Sequence, residues 1–440
     1  MRSLNNRGVF YLKRYFLFLL LIALFFLASC NQHDTYQETD STHKVEIPPT
    51  ITDTKTPEYT PLNYDFMKAI WLSQFDMSPI YTKDGQQRDE TEYAFLIDKT
   101  ITALKGLGFN TVIIQARPNC DSVYPSDIFP PSKYAVGQYG NVFKYDPLEM
   151  FIEKAHENDL SVQIWINPYR CTSTADAALI DSKYPVYNAI KNKEKYIKQF
   201  NGYYYLDPLY EESKTVILGG IKEILAKYDA DGIHIDDYFY PTADESFDLE
   251  EYAANKEISL ADFRRNNVTD LIKRIYDTVK EKDQRLIFGV SPAGNIENTF
   301  ARSFADVYKW CSNEGYIDYI SPQIYFGMKH QTHPFDKTFD VWKNIVKNKK
   351  VKLITGITLE KAYTKTDKWA GNGSDEWAKN NDVIKSCVSY ALSSKNCFGF
   401  SFFSLQFIYD PITDTRCKET YNEIDNFSFI INRINANKIS

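Results

Sequence analysis

Histidine is scarce in this sequence, with six in 440 residues, and no two of its seven cysteines have C-x-x-C spacing. A structural zinc site is therefore not expected, and neither is any cofactor. Positive charge is not in excess: 51 Lys and Arg stand against 58 Asp and Glu, a net of -7, which speaks against a nucleic-acid partner. No Gly-rich phosphate turn follows the first strand candidate, where W-L-S-Q-F-D (71–76) stands instead, so an open doubly wound nucleotide-binding sheet lacks its signature. No internal repeat is evident. What the chain has in quantity is aromatic: 32 Tyr and 29 Phe, which suit sugar-stacking surfaces as well as plain core filling.

The start of the chain carries an address. Arg2, Arg7, Lys13 and Arg14 precede an apolar run over 15–28 that is short for a membrane span. It ends in L-A-S-C (27–30), which resembles the lipobox of bacterial lipoproteins, where the cysteine is acylated and becomes the mature amino terminus. The alternative is an uncleaved membrane anchor. The expectation is a lipoprotein signal peptide over 1–29, lipidation at Cys30, and a membrane-anchored body in the cell envelope, facing the periplasm or the outer membrane. Residues 30–62 are rich in Thr, Pro and acids without helical or strand period, and read as a flexible tether. An oxidising compartment would allow disulfides among Cys120, Cys171, Cys311, Cys387, Cys397 and Cys417, with a pairing that spacing does not reveal.

Beyond the tether, β-branched and aromatic runs alternate with amphipathic stretches. The strand candidates are 68–73, 110–115, 161–167, 231–236, 285–291, 318–325, 352–358 and 397–404. Helix candidates lie between them at 93–107, 147–158, 213–228, 260–282, 304–311, 335–346 and 375–392, with a last one near 421–434. Eight strands, each followed by a helix, predict an α/β fold, a (β/α)8 TIM-type barrel over 63–410, closed by a C-terminal helical segment over 411–440.

In such a barrel the functional face is formed by the carboxyl ends of the strands. Those ends are polar or aromatic: Gln115, Arg117 and Asp121 after the second, Asn167, Tyr169 and Arg170 after the third, Asp236, Asp237, Tyr238 and Tyr240 after the fourth. Ser291 and Asn295 follow the fifth, Gln323 and Tyr325 the sixth, and Glu360 the seventh. The densest stretch is D-G-I-H-I-D-D-Y-F-Y-P (231–241), a short apolar strand running into two adjacent carboxylates.

Several of these stretches in order, N-T-V-I-I-Q-A-R-P-N-C-D-S-V-Y-P-S (110–126), I-W-I-N-P-Y-R (164–170), D-G-I-H-I-D-D-Y-F-Y-P and D-Y-I-S-P-Q-I-Y (318–325), resemble the glycosyl-hydrolase-like 10 family of bacterial barrel proteins. The resemblance covers roughly 65–410. It implies hydrolysis of glycosidic bonds, with cell-wall or other extracellular glycan as the substrate class. It also implies that the family motifs fall on Asp236, Asp237 and Tyr238, on Gln115, Arg117 and Asp121, and on Asn167, Tyr169 and Arg170.

Glycoside hydrolysis needs one carboxyl group to protonate the leaving oxygen and another to attack or to activate water. Because side chains alternate along a strand, His234 and Asp236 share a face, with His234 one layer below. G-I-H-I-D further resembles the fourth strand of the α-amylase superfamily, which favours Asp236 as nucleophile or base. For the acid, Asp237, Asp121 and Glu360 remain open. Arg117 and Arg170 either fix substrate or brace the acids, and Tyr238, Tyr240 and Tyr325 are stacking candidates. A metal site built on His234 and Asp236 is the weaker chemistry, because the chain supplies few other ligands. A non-catalytic glycan-binding lipoprotein is the alternative from outside enzymology.

Overall fold

The computed structural model describes residues 59–253 and 256–428; the expected signal, Cys30 and most of the tether lie outside the described residues. Eight parallel strands close into a barrel: β1 (Met67–Leu72), β2 (Thr111–Arg117), β3 (Ser161–Ile166), β4 (Gly232–Ile235), β5 (Ile287–Val290), β6 (Tyr319–Ile320), β7 (Lys352–Thr358) and β8 (Cys397–Phe403). Each pairs with its neighbours in chain order, and β8 pairs with β1. The strands read as near-continuous apolar runs because both faces are covered, the outer by helices and the inner by the other strands. β6 is shorter than the 318–325 run predicts. Pro322 has no N–H to donate, so the ladder stops there, and Gln323 resumes contact only as isolated bridges to Ala293 and Gly356.

Inward positions form a packed core. Ala69, Trp71, Ile113, Trp165, Tyr319 and Ile354 cluster inside the barrel, separate from the larger apolar layer between strands and helices. Tyr319 reaches across this interior because Gly289, its register partner on β5, has no side chain. A Cβ there would lie 2.0 Å from the Tyr319 ring. Gly289→Ala should therefore cost at least the ~1–3 kcal/mol of core overpacking, read as a lowered melting temperature. Unchanged melting would mean that the ring has room to move.

The helices follow the predicted order: α1 (Glu90–Gly106), α2 (Pro147–Glu157), α3 (Glu211–Lys227), α4 (Leu260–Lys282), α5 (Val307–Ser312), α6 (Phe335–Ile345) and α7 (Val383–Leu392). As its sequence foretells, α2 opens on Asp146, whose carboxylate accepts the Leu148 and Glu149 N–H groups, with Pro147 in the first turn. The 375–392 candidate divides into Glu376–Lys379 and α7. The final helix is described over 421–428. Its Glu423, 1 % exposed, accepts the Val383 and Ile384 N–H groups that the first turn of α7 leaves open.

One element was not anticipated. Between β3 and α3, strands Arg170–Ser173, Ile197–Phe200 and Tyr203–Leu206 form a small antiparallel sheet standing over the barrel mouth. Its hairpin turns on Asn201-Gly202, both at positive φ, the geometry that this dipeptide favours. At the opposite end, buried Asp231 accepts hydrogen bonds from the Tyr59 hydroxyl (2.7 Å), the Leu62 N–H and the Val162 N–H (2.6 Å), and meets His156 Nε2 at 2.9 Å. That cluster fastens the chain preceding β1 to the barrel floor.

Candidate active site

Alternation along β4 directs Gly232, His234 and then Asp236 into the barrel. Gly232 has no room for a side chain, since a Cβ would lie 2.2 Å from Gln163 Oε1. His234 is fully buried, edge-on to Trp71 and with Nδ1 2.6 Å from the Tyr319 hydroxyl. Desolvation lowers its pKa to about 3, so it is a neutral packing and hydrogen-bonding group beneath the site.

Asp236, 3 % exposed, ends a row of amides whose direction is forced. The Gln74 backbone N–H can only donate, and it donates to Gln115 Oε1 (2.8 Å). The Gln115 amide nitrogen must then face Asn167 Oδ1 (2.7 Å), and the Asn167 amide nitrogen must face Asp236 Oδ2 (2.8 Å). The other carboxylate oxygen accepts the Tyr238 N–H at 3.2 Å. Burial, then the charge of Asp237, raise the Asp236 pKa to about 7 against the lowering effect of these donors and Arg170. Asp237 is less enclosed, and burial raises its pKa too, opposed by hydrogen bonds that include the Gln323 side chain and by Arg170. Two adjacent carboxyls that both resist ionisation titrate as a pair, each raising the cost of charging the other.

The other acids named from the sequence lie differently. Asp121 is fully buried and accepts the Asn119 N–H and the Tyr139 hydroxyl, both at 2.9 Å, so it braces the loop after β2 from beneath. Glu360 is exposed at the start of the short helix Glu360–Thr364, close enough to Tyr325 for its charge to be felt there. Tyr325 is half-buried beside the same pair, and the charges of Asp237 and Asp236, after desolvation, push its phenol well above the ordinary range.

Beside the carboxyl pair opens a cleft of about 400 Å3 between the loops after β2, β3 and β4. Seven tyrosines line it: Tyr134, Tyr139, Tyr169, Tyr203, Tyr205, Tyr238 and Tyr240. The Arg170 guanidinium lies over the Tyr238 ring at 4.6 Å and donates to Pro118 O, and both side chains line the cleft. Lys133 and Asp176, paired at 2.9 Å, also line it. Tyr240 presents its ring while its hydroxyl is held by Asp248.

Thus Gln115, Asn167, Arg170, Gln323, Tyr325 and Tyr238 converge on the pair, and Tyr169 and Tyr240 on the cleft. Other candidates do not reach it. Arg117 packs on Phe129 (4.6 Å) and against Gly220 of α3, since β2 carries a register shift between Gln115 and Arg117. The Ser291 hydroxyl is spent on Ser321 O, and Asn295 caps Ile296–Ala301 while donating to His333. Sequence reading missed Lys133, Tyr139, Asp176, Tyr203 and Tyr205. The Asn-Gly turn beside Y-Y-Y (203–205) was the available signal for the last two. Among the described residues, no group of three or more His, Cys, Asp or Glu could hold a metal ion.

The geometry has relatives. A solved α-L-fucosidase isoenzyme 2 from Paenibacillus thiaminolyticus superposes with a TM-score of 0.50 over 84 % of this chain and 50 % of that one, at 14 % identity, a likeness of fold. Glycosyl hydrolase YngK of Bacillus subtilis (strain 168) is 31 % identical over 323 residues, 68 % of this chain and 62 % of that protein's length. Glycosyl hydrolase DigH of Escherichia coli (strain K12) is 30 % identical over 337 residues, 70 % of this chain and 76 % of its own. With the model for glycosyl hydrolase-like 10 matching residues 66–370, the chain belongs to the glycosyl hydrolase-like 10 family.

Proposed function

We propose that this chain is a lipid-anchored, extracytoplasmic glycoside hydrolase that cleaves a cell-wall glycan or another extracellular polysaccharide. The observation carrying this reading is the adjacent Asp236–Asp237 pair, Asp236 buried and Asp237 half-buried, set at the carboxyl end of β4 beside a tyrosine-lined cleft. Sugar rings bind by stacking their apolar faces on aromatic rings, and the cleft offers such rings from three loops. In this reading Asp236, whose proton is retained up to about pH 7, protonates the leaving oxygen. Asp237, oriented by Gln323 and facing Arg170, supplies the carboxylate that attacks the anomeric carbon or activates water. Position on the strand alone favours the opposite roles; the electrostatics of the pair favour this one. The extracytoplasmic and lipid-anchored parts of this reading rest on the lipobox-like L-A-S-C at 27–30 alone.

Release of reducing ends from purified glycans, including intact and peptide-stripped peptidoglycan, tests the activity. Binding without release by the wild type would return the chain to a non-catalytic glycan receptor. The pH profile tests the roles. A carboxyl with raised pKa is protonated below about 7 and loses its proton above it, so kcat/KM should fall as pH rises through 7. A rate that climbs through the same window would make Asp236 the base or nucleophile.

A further inference from the structure

Two thiols that the proposed chemistry does not use meet beneath the cleft. Cys120, in the loop after β2, and Cys171, in the first strand of the antiparallel insertion, are 1 % and 0 % exposed, with their sulfurs 2.9 Å apart across 51 residues of sequence. Each is flanked by cleft residues: Asn119 precedes Cys120, and Arg170 and Thr172 enclose Cys171. Asp121, next to Cys120, holds the Tyr139 hydroxyl, and Tyr187 donates to Cys120 O at 3.2 Å. Cys311, Cys387 and Cys397 are buried elsewhere, Cys417 is half-buried, and no sulfur contact of this kind joins them among the described residues.

We propose that Cys120 and Cys171 are joined by a disulfide in the mature protein, locking the β2 and β3 loops that form the cleft. The exchange is balanced by an external disulfide, supplied by an exported thiol oxidant or by oxidised glutathione. One thiolate attacks that disulfide and displaces a thiol, and the second thiolate then displaces the other sulfur from the mixed disulfide. Two electrons pass to the oxidant, which leaves as two thiols carrying the two protons. Both sulfurs are buried in the folded state, and desolvation suppresses the Cys171 thiolate, so exchange belongs to folding and the finished bond is shielded afterwards. Joining residues 51 apart removes substantial freedom from the unfolded chain.

The test is refolding of the full chain in a glutathione redox buffer, rapid alkylation, and peptide mapping without reduction. A linked pair of peptides containing Cys120 and Cys171 is expected. Alkylation of both, or linkage of either to another cysteine, would overturn the bond. Persistence of the bond in the cell rests on the extracytoplasmic placement proposed above, whereas formation in glutathione does not, so the two readings fail separately. As a second measurement, reductant should lower the wild-type melting temperature by about 5 °C and leave Cys120→Ala/Cys171→Ala unmoved. Equal shifts in both proteins would also count against the bond.

Discussion

Asp236→Asn should reduce glycan hydrolysis by about 10²–10⁴-fold while leaving a folded barrel that is more stable at pH 8 than the wild type. Both halves follow from the same burial. The amide cannot deliver a proton to the leaving oxygen, and it cannot acquire the charge that the site penalises. The sign is fixed by the direction of the shift. A carboxyl raised from 3.8 to about 7 contributes stability below its unfolded pKa and loses that contribution as pH climbs through 7. Relief at pH 8 should be on the order of 2 kcal/mol, less than the full shift implies. The asparagine has one acceptor oxygen, yet Asn167 and the Tyr238 N–H both donate to this position. Paired denaturation curves at pH 5 and pH 8 measure the gain, and reducing-end release measures the loss. A variant retaining more than a tenth of wild-type turnover would remove Asp236 from the chemistry, whereas a gain in stability confined to pH 5 would contradict the raised pKa.

Asp248→Ala should destabilise the protein by about 3–5 kcal/mol, because it strands a charge. Arg264 on α4 is 1 % exposed and forks onto the fully buried Asp248 through Nε and Nη2, while Nη2 also donates to Asp244 O at 2.7 Å. Its guanidinium lies within 5.2 Å of the Tyr240 ring and 4.8 Å of Phe304. Removing the carboxylate leaves the guanidinium buried without its anion and also frees the Tyr240 hydroxyl, so KM should rise as the cleft wall loosens. Asp248→Ala/Arg264→Met should recover much of the lost stability, since an apolar side chain carries no charge to strand. If the double variant melts no higher than the single one, the loss comes from packing and not from the orphaned charge.

Much of the fold is legible in the residues themselves. A parallel barrel strand is buried on both faces, so V-I-I, I-W-I and G-I-H-I-D stand out as runs that no surface segment would tolerate, and their count fixes the architecture. Asp236 was visible for the same reason: a carboxylate directly following such a run has to be explained. Less visible was where the strands stop. Pro322 shortens β6 through a missing N–H, and the register shift near Arg117 turns a plausible ligand-binding arginine into a buried strut under α3. The proline is visible as a residue, but the register shift leaves no periodicity in the sequence, because it depends on what the neighbouring strand does at that level.

The sequence by itself determined the eight-strand order and the concentration of acids and tyrosines after the third and fourth strands. Local chemistry is enough for these, since burial, alternation and turn residues act over a few positions. Only the tertiary structure decided that Gln115 and Asn167 form a directed amide row onto Asp236, that Asp121 is a brace, and that Tyr139, Tyr203 and Tyr205 share a cleft with Tyr238. It alone brought Cys120 against Cys171. These are relations between loops tens of residues apart, set by barrel closure, and a pKa such as that of Asp236 exists only once closure has removed the water.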